Sequence, residues 1–224
     1  MLCYSYIMKL QSAAVHTRTA IVIVLVVLFV LLAGFASNGV IGTREATIFH
    51  WFYDLPAQLR LPMLLITQAG STWMVVIVTC VLLALRKRLV ALQILAASLA
   101  TFFMVEMTKV MVGRPRPFVI LSGVQSRERF VDGLGFPSGH TAVTAVVVLL
   151  LWKHVPPRYR WLLVLWLGLV SISRMYLGVH APLDIVGGLA LGFMMYELFR
   201  QYWGGVIEAL KLTSHRKRLA KKRK

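Results

Sequence analysis

The sequence contains few cysteines and few acidic residues, and each shortage excludes a class of protein. Only two cysteines occur among the 224 residues, and they are too few for a disulfide-stabilised domain. Asp and Glu number 8 against 25 Lys and Arg, which gives a formal net charge of +17. Charged residues make up 15% of the chain and hydrophobic residues 58%, which is too apolar for a soluble domain. The composition is that of a membrane protein.

Long apolar runs predict helices that cross a membrane. A transmembrane α-helix needs about 20 residues. Six runs of roughly this length are residues 19–36, 61–85, 89–112, 138–152, 159–177 and 182–203. We therefore predict an all-α, polytopic membrane protein with six transmembrane helices and no second domain. Small residues let membrane helices approach closely, which is our interpretation of Gly187, Gly188 and Gly192.

The first apolar run can also be interpreted as a cleaved signal peptide. Lys9 and Arg18 precede it, and the small residues "AGFAS" end it. However, it is longer than the apolar segment of about 7–15 residues that signal peptides carry, and its removal would leave five spans. We therefore predict an uncleaved helix. The chain then divides into a cytoplasmic tail (1–18), a six-helix membrane domain (19–203) and a basic cytoplasmic tail (204–224).

The excess of basic residues is distributed unevenly along the chain. With a cytoplasmic amino terminus, the cytoplasmic segments hold most of the Lys and Arg residues and only Glu197 and Glu208 as acids. This asymmetry is typical of the positive-inside rule. The tail "SHRKRLAKKRK" is interpreted first as a topology determinant lying on anionic lipid headgroups, and second as an arm that binds nucleic acid or a protein partner. We predict no nucleic-acid ligand.

Polar side chains collect at the helix ends on the opposite, non-cytoplasmic face. Because consecutive spans run antiparallel, the ends of odd-numbered helices and the starts of even-numbered ones lie on that face. Four segments meet there: Lys109 with "GRPRP" (113–117), "PSGH" (137–140), "SR" (173–174) and "HAPLD" (180–184). The sequence has nothing comparable on the cytoplasmic face. We therefore expect the functional site among these helix ends.

Each basic segment also has a purely structural interpretation. Lys109 follows Glu106 by three residues, so that the two charges can neutralise each other on one helix face. Arg114 and Arg116 can be ordinary interfacial arginines.

The segments with histidine have structural interpretations too. Ser138 can cap a helix that places His140 at the membrane interface. His180 precedes Asp184 by four residues, with Pro182 at a favourable first helical position, so that the two side chains can form a structural hydrogen bond.

The co-occurrence of these groups favours a functional site over the structural interpretations. Three cations, two histidines, an aspartate and a Ser-Gly helix start converge, and burying them without a ligand would cost several kcal/mol per unpaired ion. Phosphate is the natural ligand. Backbone N–H groups near Gly139 suit an anion at the start of a helix, and arginine and lysine supply the positive charge.

The spacing within these segments resembles a known family signature. The segments are Lys109, six residues, Arg116-Pro117; then Pro137-Ser138-Gly139-His140; and Ser173-Arg174, five residues, His180, three residues, Asp184. Together they resemble the three-part signature of the type 2 phosphatidic acid phosphatases, also called lipid phosphate phosphatases, in their integral-membrane, bacterial form. The signature covers about a third of the chain.

The resemblance implies a metal-independent phosphatase, without a cofactor, that works through a phosphohistidine. His180 would attack phosphorus, and Asp184 would orient it and raise its basicity. His140 would protonate the leaving oxygen and then activate water. The groups that would hold the phosphoryl oxygens are Lys109, Arg116, Ser138, the Gly139 backbone and Arg174.

The chemistry of these residues is consistent with the implied roles. A nucleophilic imidazole must be neutral and have its second nitrogen engaged, and a carboxylate one helical turn away can engage it. His140, His180 and Asp184 are also possible metal ligands, but the three cations beside them oppose a metal ion.

We therefore predict a lipid phosphatase of the cytoplasmic (inner) membrane, with its site on the periplasmic or extracellular face. The lipid phosphate substrate would enter sideways from the bilayer. Undecaprenyl diphosphate ranks first, because recycling of polyprenyl carriers needs an outward-facing phosphatase; phosphatidylglycerophosphate and phosphatidic acid follow. The alternatives from other classes are a non-catalytic anion-binding protein or transporter, and a vanadium-dependent haloperoxidase. The haloperoxidases are generally soluble, which counts against them here.

Overall fold

The described part of the chain is entirely helical. The computed structural model describes residues 2–129, 131 and 133–222, with side chains described between residues 17 and 205 apart from 18, 130 and 132. These residues form nine α-helices, two short 3₁₀ helices and no β-strand. The α-helices are α1 (Leu2–Ala36), α2 (Thr43–Tyr53), α3 (Arg60–Gln68), α4 (Thr72–Ala84), α5 (Arg88–Val112), α6 (Pro117–Ile120), α7 (Gly139–Leu151), α8 (Arg160–Tyr176) and α9 (Pro182–Lys222). The predicted all-α class is confirmed.

All six predicted apolar runs are helical, but they differ in length. Among the described residues, three helical segments are long and apolar enough to cross a membrane: Thr19–Ala36, Arg88–Ile120 and Pro182–Gly205. The second predicted run is broken into α3 and α4, which meet at 50° and would make a fourth span if taken together. Helices α7 and α8 have only 13 and 17 residues. Six spans therefore stay a prediction.

The predicted tails continue the terminal helices. The backbone of α1 begins at Leu2, and α9 extends to Lys222. Most side chains of the two predicted tails (1–18 and 204–224) fall outside the described residues. The boundaries of these tails and the headgroup contacts of the basic tail therefore stay predictions.

Helices α7 and α9 form the centre of the fold and cross closely. Residues 141–148 of α7 are all buried. A Cβ atom on Gly188 would lie 2.6 Å from the Ser138 carbonyl oxygen, and one on Gly192 would lie 2.6 Å from that of Ala142. Any larger residue at these two positions would force the helices apart. The interpretation as residues that let helices approach is confirmed for Gly188 and Gly192, whereas Gly187 faces the ring of Phe136.

The remaining helices surround this central pair. Helices α1 and α5 pack on α9, α8 packs on α7, and α2 and α3 cover α8. Phe29 of α1 stacks on Phe136, just before α7, with ring centroids 5.9 Å apart. The packing brings the carboxyl ends of α5 and α8 beside the amino ends of α7 and α9, which is the arrangement expected from alternating helix directions.

Candidate active site

The four helix ends enclose a cavity of about 150 Å³. Six of the eight predicted site residues line it: Lys109, Arg116, Gly139, His140, Arg174 and His180. The last turn of α5, the first turn of α7, the last turn of α8 and the turn before α9 each contribute at least one of them. The structure therefore brings together residues that are far apart in the sequence.

His180 is buried and lies between a carboxylate and a guanidinium. Its Nδ1 is 3.5 Å from Oδ2 of Asp184, one helical turn further along the chain. Its Nε2 is 3.4 Å from Nη1 of Arg116, which also donates a hydrogen bond of 3.1 Å to the Val179 carbonyl. Nε2 is thus the ring nitrogen on the side of the cavity cations, and Asp184 lies behind the ring.

The surroundings of His180 favour the neutral form of its imidazole. Burial lowers the pKa of His180 well below its usual 6.5, and the positive charges of Arg116 and Arg174 lower this pKa further. A neutral imidazole has a free lone pair on one nitrogen, which is the form that can attack an electrophile.

Among the described residues, Lys109 and Arg174 each lie beside a carboxylate. Lys109 Nζ lies 2.8 Å from Glu106 Oε1, so that the neutralising pair considered for these residues is present. Arg174 Nη1 lies 2.9 Å from Glu128 Oε2 and donates a hydrogen bond of 2.6 Å to Thr67 Oγ1. The positive charge of the cavity is therefore partly balanced by the carboxylates of Glu106 and Glu128.

Ser138 starts α7 but does not line the cavity. It is the N-cap residue, yet its hydroxyl makes no capping hydrogen bond and instead accepts one of 3.1 Å from Thr141 Oγ1. The Ser138 N–H donates to the carbonyl oxygen of Asp184 at 2.9 Å. Gly139 and His140, the first two residues of α7, do line the cavity. Ser138 thus ties the start of α7 to α9.

Arg114 is a buried residue rather than an interfacial arginine, which corrects the structural interpretation of this residue. It is 0% exposed, and its Nη1 donates to Asp184 Oδ1 at 2.8 Å while its Nη2 donates to Glu45 Oε2 at 2.7 Å. Glu45 lies on α2, a helix that the apolar runs do not predict. The only sequence signal for Arg114 is its place beside Arg116 in "GRPRP", and no signal marks Glu45.

The polar walls of the cavity suit an anion. Within the described ranges, no group of three or more His, Cys, Asp or Glu side chains is placed to hold a metal ion. Guanidinium and ammonium groups, together with the amino end of α7, are instead the donors that bind phosphate oxygens.

Comparison with known proteins identifies the family. A family model described as the PAP2 superfamily matches residues 89–207, which include all eight predicted site residues. The undecaprenyl-diphosphatase of Sulfolobus acidocaldarius is 30% identical to this chain over 144 residues, covering 62% of this chain and 68% of that protein.

Two solved structures share the fold. The transmembrane PAP2-type phosphatidylglycerolphosphate phosphatase from Bacillus subtilis has a TM-score of 0.68, at 24% identity, over 81% of this chain and 94% of that one. Aquifex aeolicus LpxE has a TM-score of 0.65, at 23% identity, over 70% of this chain and 94% of that one.

The family match and the phosphatase relatives identify an integral-membrane phosphatase, a phosphoric-ester hydrolase, and the apolar helices and the cationic cavity with its two histidines are consistent with this class. The chain belongs to the PAP2 superfamily, because the family match covers more than half of its length. The resemblance inferred from three short sequence segments is confirmed.

Proposed function

We propose that the chain hydrolyses a lipid phosphate through a phosphohistidine on His180, with undecaprenyl diphosphate as the favoured substrate. The observation that carries the proposal is the buried imidazole of His180, which lies between Asp184 and Arg116 in the wall of a small cavity lined by cations. A fixed cluster of cations stabilises the charge of a phosphoryl group in transfer.

In the first half of the proposed reaction, the lone pair on His180 Nε2 attacks the terminal phosphorus. The bond from phosphorus to the leaving oxygen breaks, and its electron pair stays on that oxygen. Asp184, 3.5 Å from Nδ1, orients the ring and stabilises the positive charge that the ring acquires. His140 donates a proton to the leaving oxygen when the product is an alcohol. A diphosphate lipid instead releases a lipid monophosphate.

In the second half, a water molecule attacks the phosphorus of the phosphohistidine, and His140 accepts a proton from that water. The bond between phosphorus and nitrogen breaks, inorganic phosphate leaves, and His180 returns to its neutral form. A general acid–base group of this kind contributes about 10² to 10⁴ in rate. The phosphoryl oxygens are held in both halves by Lys109, Arg116, Arg174 and the Gly139 N–H.

An apolar slot beside the cavity supports a lipid as the substrate. The slot has a volume of about 190 Å³, lies between α4 and α5, and shares Thr72, Phe102 and Val143 with the phosphate cavity. Val76 and Leu99, which also line it, are 43% and 56% exposed. The slot therefore opens on the apolar side of the helices, where a lipid chain in the bilayer would lie while its phosphate enters the cavity.

The choice of lipid and of membrane face rests on the relatives and on the charge distribution. The relative from S. acidocaldarius is named as an undecaprenyl-diphosphatase. Basic segments favour a cytoplasmic location for the opposite helix ends, so that the cavity would face the outside of the cytoplasmic membrane. Phosphatidylglycerophosphate and phosphatidic acid are the second candidates.

The test is a phosphate-release assay on the purified protein with EDTA present. The assay compares three lipids in mixed micelles at the same protein concentration: undecaprenyl diphosphate, phosphatidylglycerophosphate and phosphatidic acid. We expect the highest kcat/KM with undecaprenyl diphosphate and no turnover of any lipid by His180→Ala. His154→Ala, a change to an exposed histidine outside the cavity, is the control and should keep full activity.

A higher kcat/KM for another lipid would move the assignment to that lipid. No release from any of them would favour a non-catalytic anion-binding protein or transporter.

A further inference from the structure

We propose that Arg114 and Glu45 form a positioning pair that fixes the carboxylate of Asp184 behind His180. Neither residue lines the phosphate cavity, so the pair acts by holding Asp184 and the helical turn that carries it. This inference rests on the proposed role of His180 as the nucleophile.

Arg114 decides which way the Asp184 carboxylate points. Its Nη1 donates to Oδ1 at 2.8 Å. The other oxygen, Oδ2, accepts the Ala181 N–H at 2.8 Å and lies 3.5 Å from His180 Nδ1. One carboxylate oxygen is thus held by the guanidinium, and the other is held in place for the imidazole.

Arginine suits this position because one guanidinium joins two carboxylates. Nη1 contacts Asp184, while Nη2 contacts Glu45 Oε2 at 2.7 Å and the Val40 carbonyl at 3.1 Å. The side chains of Arg114 and Asp184 are 0% and 1% exposed, so water cannot replace the contact between them. A lysine would keep the charge but lose the planar fork that reaches both acids.

Glu45 connects this pair to the start of α9. Its Oε1 accepts the N–H of Leu183 at 2.9 Å, one residue before Asp184. A carboxylate at the amino end of a helix is stabilised by the exposed N–H groups and the helix dipole. Glu45 therefore holds both Arg114 and the helical turn that carries Asp184.

Gly135 lies beside the Asp184 carboxylate. Its N–H donates to the Arg114 carbonyl at 2.7 Å, and a Cβ atom on it would lie only 3.0 Å from Asp184 Oδ2. A side chain at position 135 would therefore crowd the carboxylate, whereas glycine leaves room for it.

A double-mutant cycle tests the proposal. Arg114→Lys and Glu45→Gln are each made in the wild type and in Asp184→Asn. Steady-state phosphate release gives kcat and KM, and rapid quench gives the single-turnover rate of phosphohistidine formation. We expect Arg114→Lys to lower kcat by about tenfold or more, with a change in KM of less than about threefold, because the ground-state contacts of the phosphate are kept. In Asp184→Asn, the same change should slow phosphohistidine formation by less than about twofold, because its target is gone.

Leu191→Ala is the stability control, since it removes a fully buried side chain of α9 outside the cavity. It should lower the melting temperature while the folded fraction keeps its kcat. The proposal would be overturned if Arg114→Lys slowed phosphohistidine formation equally in the wild type and in Asp184→Asn. It would also be overturned if Arg114→Lys lowered only the melting temperature and left the rate unchanged. If Arg114→Lys does not yield folded protein, the cycle with the nearly isosteric Glu45→Gln decides by the same criteria.

Failure of the positioning role is distinguishable from failure of the proposed function. If His180→Ala still forms a phosphoenzyme, the nucleophile is wrong, and the proposed mechanism fails with it. If His180→Ala is inactive but the cycle is additive, only the positioning role of Arg114 and Glu45 fails.

Discussion

The two histidines of the cavity stand in different surroundings. His180 is 2% exposed, with Asp184 at its Nδ1 and cations on its other side. His140 is partly exposed in the first turn of α7. A buried, oriented imidazole suits a nucleophile, and one open to the cavity suits an acid or base that exchanges protons with water.

This difference predicts that loss of His140 has a graded effect. In His140→Asn, overall hydrolysis should fall by about 10² to 10⁴, because water attack lacks its base. Phosphohistidine should still form from a diphosphate lipid, because the departing lipid monophosphate is a stable anion that needs no proton. A monophosphate lipid expels an alkoxide, so its phosphoenzyme should form much more slowly. Rapid quench with radiolabelled lipids of matched chain length measures both rates.

His180→Ala is the companion variant and should form no phosphoenzyme from either lipid. Trapping of label on His140 in that variant would contradict the assigned roles. Equal slowing of the two lipids by His140→Asn would contradict them as well.

The sequence predicts the parts of the site whose spacing is local. His180 and Asp184 are four residues apart, and the short turn that leads into α9 brings them together. The contacts of Arg114 with Glu45 and Asp184 span 69 and 70 residues, and no periodicity in the chain encodes them. An arginine near a membrane interface is ordinary when taken alone, which is why the sequence could not distinguish Arg114 from a surface residue.

At the level of elements, the apolar runs predict helices well but not where they break. Residues 61–85 read as one run, whereas the structure bends by 50° between α3 and α4. At that bend, a Cβ atom on Gly70 would lie 2.5 Å from Val170 Cγ1, and Trp166 Nε1 donates to the Ala69 carbonyl at 3.0 Å. Both contacts come from α8. The break is therefore set by tertiary packing, which hydropathy does not measure.

If the slot between α4 and α5 holds the lipid chain, a variant that fills the slot should bind long lipids more weakly. Val76→Trp should fill the slot and raise KM for undecaprenyl diphosphate about tenfold, which corresponds to about 1.4 kcal/mol. The hydrolysis of p-nitrophenyl phosphate, which has no lipid chain, should not change. The measurement is KM for both substrates.

The matched control is Ile77→Trp, on the same helix, 53% exposed but outside the slot. It should leave both values of KM unchanged. An equal rise in KM from both variants, or no rise from Val76→Trp, would remove this slot as the lipid path.

At the scale of the whole molecule, composition predicts the membrane and the charge pattern predicts the orientation. The basic residues of the α4–α5 turn and of the α7–α8 connection lie at the helix ends opposite the cavity. The positive-inside rule assigns those ends to the cytoplasm. The orientation of a chain in a membrane depends on charges outside the packed core, so that the helical fold by itself does not determine it.

We expect the cavity to lie on the outer side of the membrane. Cys3 and Cys80 are first replaced by serine, and then Gln125→Cys in the exposed loop after α6 or Ser214→Cys in the basic tail is introduced. A membrane-impermeant maleimide should label only the loop variant in intact cells, and both variants after permeabilisation. Both variants must keep phosphatase activity, which shows that the labelled protein is folded. Labelling of the tail alone in intact cells would place the cavity in the cytoplasm, where a lipid phosphate of the inner leaflet, rather than an outward-facing undecaprenyl diphosphate, would be the accessible substrate.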